Sequence, residues 1–311
     1  MQHRLQRSIR KAAEVTGIGF LTGADITVRF LPAPPKYGIA LRRLDCPGSK
    51  PIPATIDFTM PRERRTAVGR DGIAVEMTEH VLSALAGLQI DNCLIELDGP
   101  EIPGCDGSSR AFVEALLAAD IQEQDEPRDL FGVEHQVRVV AEDGLSELEA
   151  RPAVQGGLTI AYQLDYGPDS PIPPQSLSIE ITPETYLSEL AAARTFVLES
   201  EVDELRAQGY GYRTTTRDLL VFGSGGLVDN QLRFTDECVR HKILDCLGDF
   251  ALLGCDIHGH FNACRSGHRL NRQLLRRLIQ THPDLDRKVE GRKLKVEVNA
   301  STCVQPEFLE F

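Results

Sequence analysis

The chain has 311 residues, 41% of them hydrophobic, and 34 Lys plus Arg against 46 Asp plus Glu give a formal net charge of −12. That apolar content excludes global disorder, and the length suits two domains of about 100–200 residues each. The charge counts against a nucleic-acid binder, which needs surplus cations to displace counterions. It still leaves room for a small anionic ligand in a locally basic pocket.

Taken in chain order, Met1–Val15 is basic and polar with no apolar signal core, which points to the cytoplasm rather than secretion. Residues 24–31 alternate and predict a strand, which Pro32–Pro35 ends. Residues 79–90 carry apolar side chains at 81, 85 and 88 and predict a helix with Thr78 at its N-cap. A short strand follows at 93–98, then a Gly/Pro loop over Gly99–Gly107. Ser108 or Ser109 caps the next helix, whose buried face is expected to hold Phe112, Val113, Leu116 and Leu117.

Gln122–Arg128 is polar, contains Pro127 and shows no periodicity, so it reads as a linker between domains 1–125 and 126–311. Alternating segments at 132–140, 145–151 and 157–165 predict a second sheet. Gly167–Pro174 is turn-rich, and Thr182-Pro183-Glu184 has the chemistry of a helix start. Helices are expected at 201–208, from about Asp236 to Leu253 with a stop at Gly254, and at 271–280, with a last strand at 293–299. Strands and helices mix without strict βαβ alternation, which defines an α+β fold class. A weak echo links the halves: His80 and His241 each lie seven residues before a glycine, Gly87 and Gly248.

The chemistry concentrates on the 236–253 helix. With His241 at 0°, Asp245 falls near about 40°, Asp249 near about 80° and Lys242 near about 100° of the helical wheel. Ile243, Leu244, Leu247, Phe250 and Ala251 fall on the far side. One reading is a solvated polar face with helix-stabilising pairs. The other is a metal face, because His and Asp at i, i+4 present an imidazole nitrogen and a carboxylate oxygen to one ion. A catalytic site of that kind needs a third ligand and a carboxylate base that is not a ligand. Glu79-His80 offers both, but His258-x-His260 and His268 compete, and spacing does not choose among them.

Several motifs carry less. Gly17-Ile18-Gly19-Phe20-Leu21-Thr22-Gly23 has one residue too many for a dinucleotide fingerprint and lacks its strand–loop–helix context. Glu101 and Asp106 sit in a Gly/Pro loop and suit turn chemistry better than a glycosidase pair. The eight cysteines form no CxxC pair and read as reduced thiols. No apolar run is long enough to cross a membrane.

Several motifs then occur together and in order. They are Thr78-Glu79-His80-Val81-Leu82-Ser83-Ala84-Leu85-Ala86-Gly87, Ile90-Asp91-Asn92 and Arg194-Thr195-Phe196. Leu232-Arg233-Phe234-Thr235-Asp236-Glu237 then runs toward Val239-Arg240-His241-Lys242-Ile243-Leu244-Asp245, and Gly248-Asp249 and Ser266-Gly267-His268-Arg269-Leu270-Asn271 follow. Over nearly its whole length the sequence resembles the zinc-dependent UDP-3-O-acyl-N-acetylglucosamine deacetylases of bacterial lipid A biosynthesis. These remove the N-acetyl group from an acylated nucleotide sugar.

The resemblance implies two similar α+β domains with helices sandwiched between their sheets and a site between them. Glu79 and His80 would come from the first half, and His241, Asp245 and His268 from the second. It implies His80, His241 and Asp245 as zinc ligands and Glu79 as general base. His268 would be the second acid–base group, supported by Asp249. Thr195 would stand near the oxyanion and also touch substrate, with Phe196 and Lys242 as further substrate contacts. The same ligand types also suit Fe2+. Arg240, Arg265 and Arg269 could add a basic patch for the diphosphate. The expected partner is the acylated UDP-amino-sugar, with no nucleic acid and no stable membrane insertion, and the expected state is a monomer.

Three stretches depart from the family pattern. Gly-Leu-His-Ser-Gly becomes Gly19-Phe20-Leu21-Thr22-Gly23, and Ile-Met-Asp-Gly-Ser becomes Gly104-Cys105-Asp106-Gly107-Ser108. A Gly-Gly-Ser segment that helps form the acyl passage is replaced by Tyr210-Gly211-Tyr212-Arg213-Thr214-Thr215-Thr216-Arg217-Asp218. The alternatives are therefore a divergent relative acting on another acetylated UDP-sugar, or a non-catalytic zinc or nucleotide-sugar binding protein. A retained glutamate beside the metal set favours an enzyme.

Overall fold

The computed structural model describes residues 4–154 and 156–281. The strand expected at 293–299 lies outside the described residues, as do His3, His282 and Cys303.

Two sheets dominate, and their topologies match. The first has the order Ala13–Ile18, Asp25–Pro32, Cys93–Leu97, Ile39–Arg43, Ile52–Pro53. The second has the order Val137–Val140, Glu147–Arg151, Asp256–Cys264, Leu158–Leu164, Gln175–Glu180, with Leu130–Gly132 added beside Asp256–Cys264. In both, the central strand runs antiparallel to the neighbour on its hairpin side and parallel to the other. Helices flank each central strand in sequence. In the first half these are α1 (Glu79–Gly87) and α2 (Arg110–Ala118). In the second, a short α3 (Pro183–Thr185) and α4 (Glu199–Ala207) come earlier, and α5 (Glu237–Phe250) and α6 (His268–Thr281) do the flanking. The echo between His80 and His241 thus marks two α+β halves of one design.

Each half also inserts a small three-stranded sheet before its first flanking helix. These comprise Thr59–Met60, Ala67–Arg70 and Ile73–Val75, and Phe196–Leu198, Leu220–Gly223 and Gly226–Leu227. The helices form the layer between the large sheets. One core runs through both halves, from Val28, Phe30 and Ile95 through Leu82, Leu85, Leu247 and Phe250 to Ile160 and Phe261. Burial at this scale, at roughly 1.5–3 kcal/mol per large apolar side chain, fixes α1 against α5.

That packing explains where the simple wheel fails. In α1 every residue but Ala86 is buried, because α5 covers the face that an ordinary amphipathic helix would give to water. In α5, His241, Asp245 and Asp249 are buried too, at 2%, 4% and 0% exposure. The solvated-face reading of this helix is therefore wrong. Gly254 adopts φ 67° and ends the 3-10 turn after α5, as a C-terminal glycine should.

Two local expectations are corrected and two capping expectations are refined. Gln122–Arg128 is no linker, because Ile121–Pro127 is a strand paired antiparallel with Leu5–Ile9. Its two-residue period is written in polar side chains: Gln124 bonds the Ala33 carbonyl and the Asn92 amide instead of entering a core. Thr78 stands at the N-cap of α1 as expected, but its hydroxyl goes to the Thr66 carbonyl instead of to a helix N–H. Ser109 likewise stands at the N-cap of α2 and gives its hydroxyl to the His80 carbonyl, while Ser108 Oγ accepts from Arg110 N, the first N–H of the helix, at 3.2 Å. Leu117 is 47% exposed and does not join Phe112, Val113 and Leu116 in the core. Among the described residues, no helix is long and apolar enough to cross a membrane.

Candidate active site

Residues one turn apart on α5 meet the start of α1. His80, His241 and Asp245 bring one ligand atom each to within 4.8 Å of one another, and all three are buried. His241 Nε2 lies 3.3 Å and His80 Nε2 3.7 Å from Asp245 Oδ1, and the two imidazoles meet edge to face at 4.9 Å. The Ala193 carbonyl lies 3.1 Å from His241 Nδ1. A carbonyl only accepts, so Nδ1 carries a proton and Nε2 is the nitrogen turned toward the cluster.

The electrostatics suit a cation. Burial, helped by His241, pushes the His80 pKa down to about 3, so its ring is neutral. Burial works against ionising Asp245, but His241 and Lys242 beside it outweigh that and hold its pKa well below the usual carboxylate range. Two imidazoles and one carboxylate form a set that could hold a metal ion. It is the only such group among the described residues.

Next to this set stands Glu79, 2% exposed, with one carboxylate oxygen 3.0 Å from the backbone N–H of Thr66. Burial raises its pKa to about 7, against an opposing pull from His268. Across the cluster, His268 Nδ1 donates to Asp249 Oδ2 at 2.8 Å, while Asn271 Nδ2 donates to the same oxygen at 2.7 Å. Burial would lower the His268 pKa, but Asp249 outweighs it and raises the value to about 9. A neutral-tuned carboxylate and a cationic imidazole thus face one space, a pairing suited to moving protons both ways.

That space is a cleft of about 740 Å3 lined by Glu79, His80, His241, Lys242, Asp245 and His268, with Thr195 and Phe196 on one wall. Thr195 is placed by its backbone, with its N–H on the Gly107 carbonyl and its carbonyl accepting from Leu220. Phe196 packs its ring edgewise with Tyr166, Phe222 and His241. Lys242 Nζ lies 2.8 Å from Asp245 Oδ2, which raises its pKa well above the usual value despite burial. All nine residues singled out from the sequence therefore converge, with Asp249 fully buried behind His268.

The competing histidines do not. His258 and His260 lie on the far strand, where His258 lines a separate crevice with Leu85, Leu247 and Arg128. Glu101 is structural, accepting from the N–H groups of Leu21 and Thr22. Of the three expected arginines, Arg269 lines the cleft, whereas Arg240 pairs with Asp236 and Glu189 and Arg265 with Asp165. In the divergent segment, Tyr210, Gly211 and Thr214 line the cleft, and the Arg65 guanidinium lies 5.5 Å from the Tyr210 ring centroid.

Two supports have roles that spacing along the chain does not give. Thr66 touches both Glu79 and Asp249. Glu237, fully buried one turn before His241, holds Arg194 and through it the strap that carries Ala193 and Thr195. Their importance comes from contacts distant in sequence, which periodicity cannot reveal.

A buried two-histidine, one-aspartate set with a free carboxylate alongside has the arrangement of a metal-assisted hydrolase. The family model for UDP-3-O-acyl N-acetylglycosamine deacetylase (LpxC) matches residues 6–280, and the chain belongs to that family. Curated relatives agree in length and sequence. UDP-3-O-acyl-N-acetylglucosamine deacetylase of Myxococcus xanthus is 34% identical over 293 residues, covering 94% of this chain and 91% of that protein. The enzyme of the same name from Bdellovibrio bacteriovorus is 36% identical over 300 residues, covering 96% and 97%. That from Thermodesulfovibrio yellowstonii is 38% identical over 277 residues, covering 89% and 92%.

Proposed function

We propose that this protein is a zinc-dependent hydrolase that removes the N-acetyl group from UDP-3-O-acyl-N-acetylglucosamine in lipid A biosynthesis. The observation that carries the reading is the buried His80–His241–Asp245 set with Glu79 and His268 on either side of it. The donor chemistry fits zinc: two imidazole nitrogens and one carboxylate oxygen. His80, His241 and Asp245 would hold the ion. When bound, it supplies Lewis-acid polarisation of the acetyl carbonyl and of the attacking water.

The protein's own groups do the rest. Glu79 accepts the proton of the water that adds to the acetyl carbon. The Thr195 hydroxyl donates toward the oxygen on which charge develops. His268, kept cationic by Asp249, delivers a proton to the sugar nitrogen as the C–N bond breaks, so that acetate and a free amine leave. Phe196 gives the sugar an apolar face, and Lys242 and Arg269 supply cations for the diphosphate. In this reading residues 1–125 contribute Glu79 and His80, and residues 126–311 contribute the remaining groups. A cytoplasmic setting agrees with the seven described cysteines, all of which are free thiols.

The test is acetate release from the acylated UDP-sugar, with and without a chelator. Release that stops on chelation and returns with zinc supports the reading. Absence of release from zinc-loaded protein overturns it. The altered 210–218 wall favours one finer distinction, a changed acyl preference, which competition between acyl lengths measures.

A further inference from the structure

Thr66 stands outside the site as drawn so far. It precedes the strand Ala67–Arg70, is fully buried and does not line the cleft, so it cannot touch substrate. It is not in the ligand set. Yet each of its polar atoms is engaged with the reacting groups or their carriers. Its N–H donates to Glu79 Oε2 at 3.0 Å. Its carbonyl accepts from Thr78 N at 3.0 Å and Thr78 Oγ1 at 3.2 Å, directly before Glu79. Its hydroxyl donates to Asp249 Oδ1 at 2.5 Å and lies 3.2 Å from His268 Nδ1.

The loop that leads to it is tied to the opposite half. Arg272 on α6 donates to the carbonyls of Arg62 and Arg65. Asp249 receives three donors: Thr66 on Oδ1, and His268 and Asn271 on Oδ2. Without the Thr66 hydroxyl, Oδ1 would be an unpaired buried carboxylate oxygen, free to rotate away from the His268 plane.

We infer that Thr66 is a positioning residue that fixes Glu79 and the Asp249–His268 pair in register across the junction of the two halves. The inference rests on the deacetylase reading for its kinetic consequence. A group that meets neither substrate nor metal should act on kcat alone. A bracing role confined to folding would lower the melting temperature and leave turnover per intact site unchanged.

The variants are Thr66→Val, which removes only the hydroxyl, and Thr66→Ser, which restores it. In the zinc-loaded full chain, Thr66→Val should keep wild-type zinc content and KM and lose about tenfold or more in kcat per zinc-loaded site, as expected for a lost hydrogen bond to a charged group. Thr66→Ser should recover most of that loss. Proton NMR supplies a reading independent of turnover: the His268 Nδ1–H resonance, identified by its loss in His268→Gln, should shift in Thr66→Val and return in Thr66→Ser. Unchanged kcat in Thr66→Val, or equal loss in Thr66→Ser, overturns the inference. If wild type releases no acetate, the deacetylase reading fails and the resonance decides: a shift supports the placement of Thr66, and none overturns it.

Discussion

Gly248 lies against the backbone carbonyl of Glu79, where a Cβ on Gly248 would stand 2.1 Å from that oxygen. The helices that carry the cluster therefore cross at a point where only hydrogen fits. Backbone does not move aside as a side chain does. Gly248→Ala should push α1 from α5, cost about 1–3 kcal/mol of stability and loosen the His80–Asp245 spacing. Metal analysis after dialysis and a melting curve check this. Wild-type metal retention with an unshifted melt would contradict it.

Glu79 stands beside the His80–His241–Asp245 cluster, and the proposed mechanism makes it the base and not a ligand. Glu79→Gln keeps the shape and removes the base. We expect full zinc content and a fall in kcat of about 10²–10⁴, the usual scale for a general base. Loss of zinc instead would place Glu79 in the coordination set.

His241 donates its Nδ1 proton to Ala193 and turns Nε2 toward Asp245. His241→Ala leaves two ligands, too few for a retained ion. Purified variant should carry little zinc and show no turnover, and chelated wild type should match it. Equal metal in variant and wild type would refute the ligand assignment.

The two shifted groups set opposite limbs of a pH profile. Glu79 must be ionised to accept a proton. Burial raises its pKa to about 7, so activity should fall as pH drops through that value. His268 must be protonated to donate. Asp249 raises its pKa to about 9, so activity should fall as pH rises through that value. Asp249→Asn removes the largest cause of the upper shift and should move the upper limb to lower pH. A kcat profile for both proteins tests the assignment.

The fold was legible where side chains report burial in a simple period. Asp25–Pro32 alternates, and α5 carries the His-x-x-x-Asp spacing on one face. Legibility failed where a second partner covers the polar face, as on α5, or where a strand is paired through polar residues, as at Ile121–Pro127. For the site, the separate motifs give the parts. The meeting of Glu79-His80 with His241 is fixed by helix packing between halves far apart in sequence. Thr66 and Glu237 were unreadable for the same reason, since nothing beside them in the chain announces a contact with Asp249 or Arg194.

The pairing of Leu5–Ile9 with Ile121–Pro127 has a consequence for the junction of the two halves. The strand Leu5–Ile9 takes its ladder partner from the far end of its half. Arg7 is already held by Asp91 and Asn92, and Ser8 by Ala33 and Asn92, so the pairing with Ile121–Pro127 adds a ladder to a strand anchored earlier in its own half. Closing that seam brings Arg4 between Asp91 of the first half and Asp256 of the second. Arg4 thus clasps both halves at the end of that ladder, so a change at this one side chain would be felt on each side of the junction.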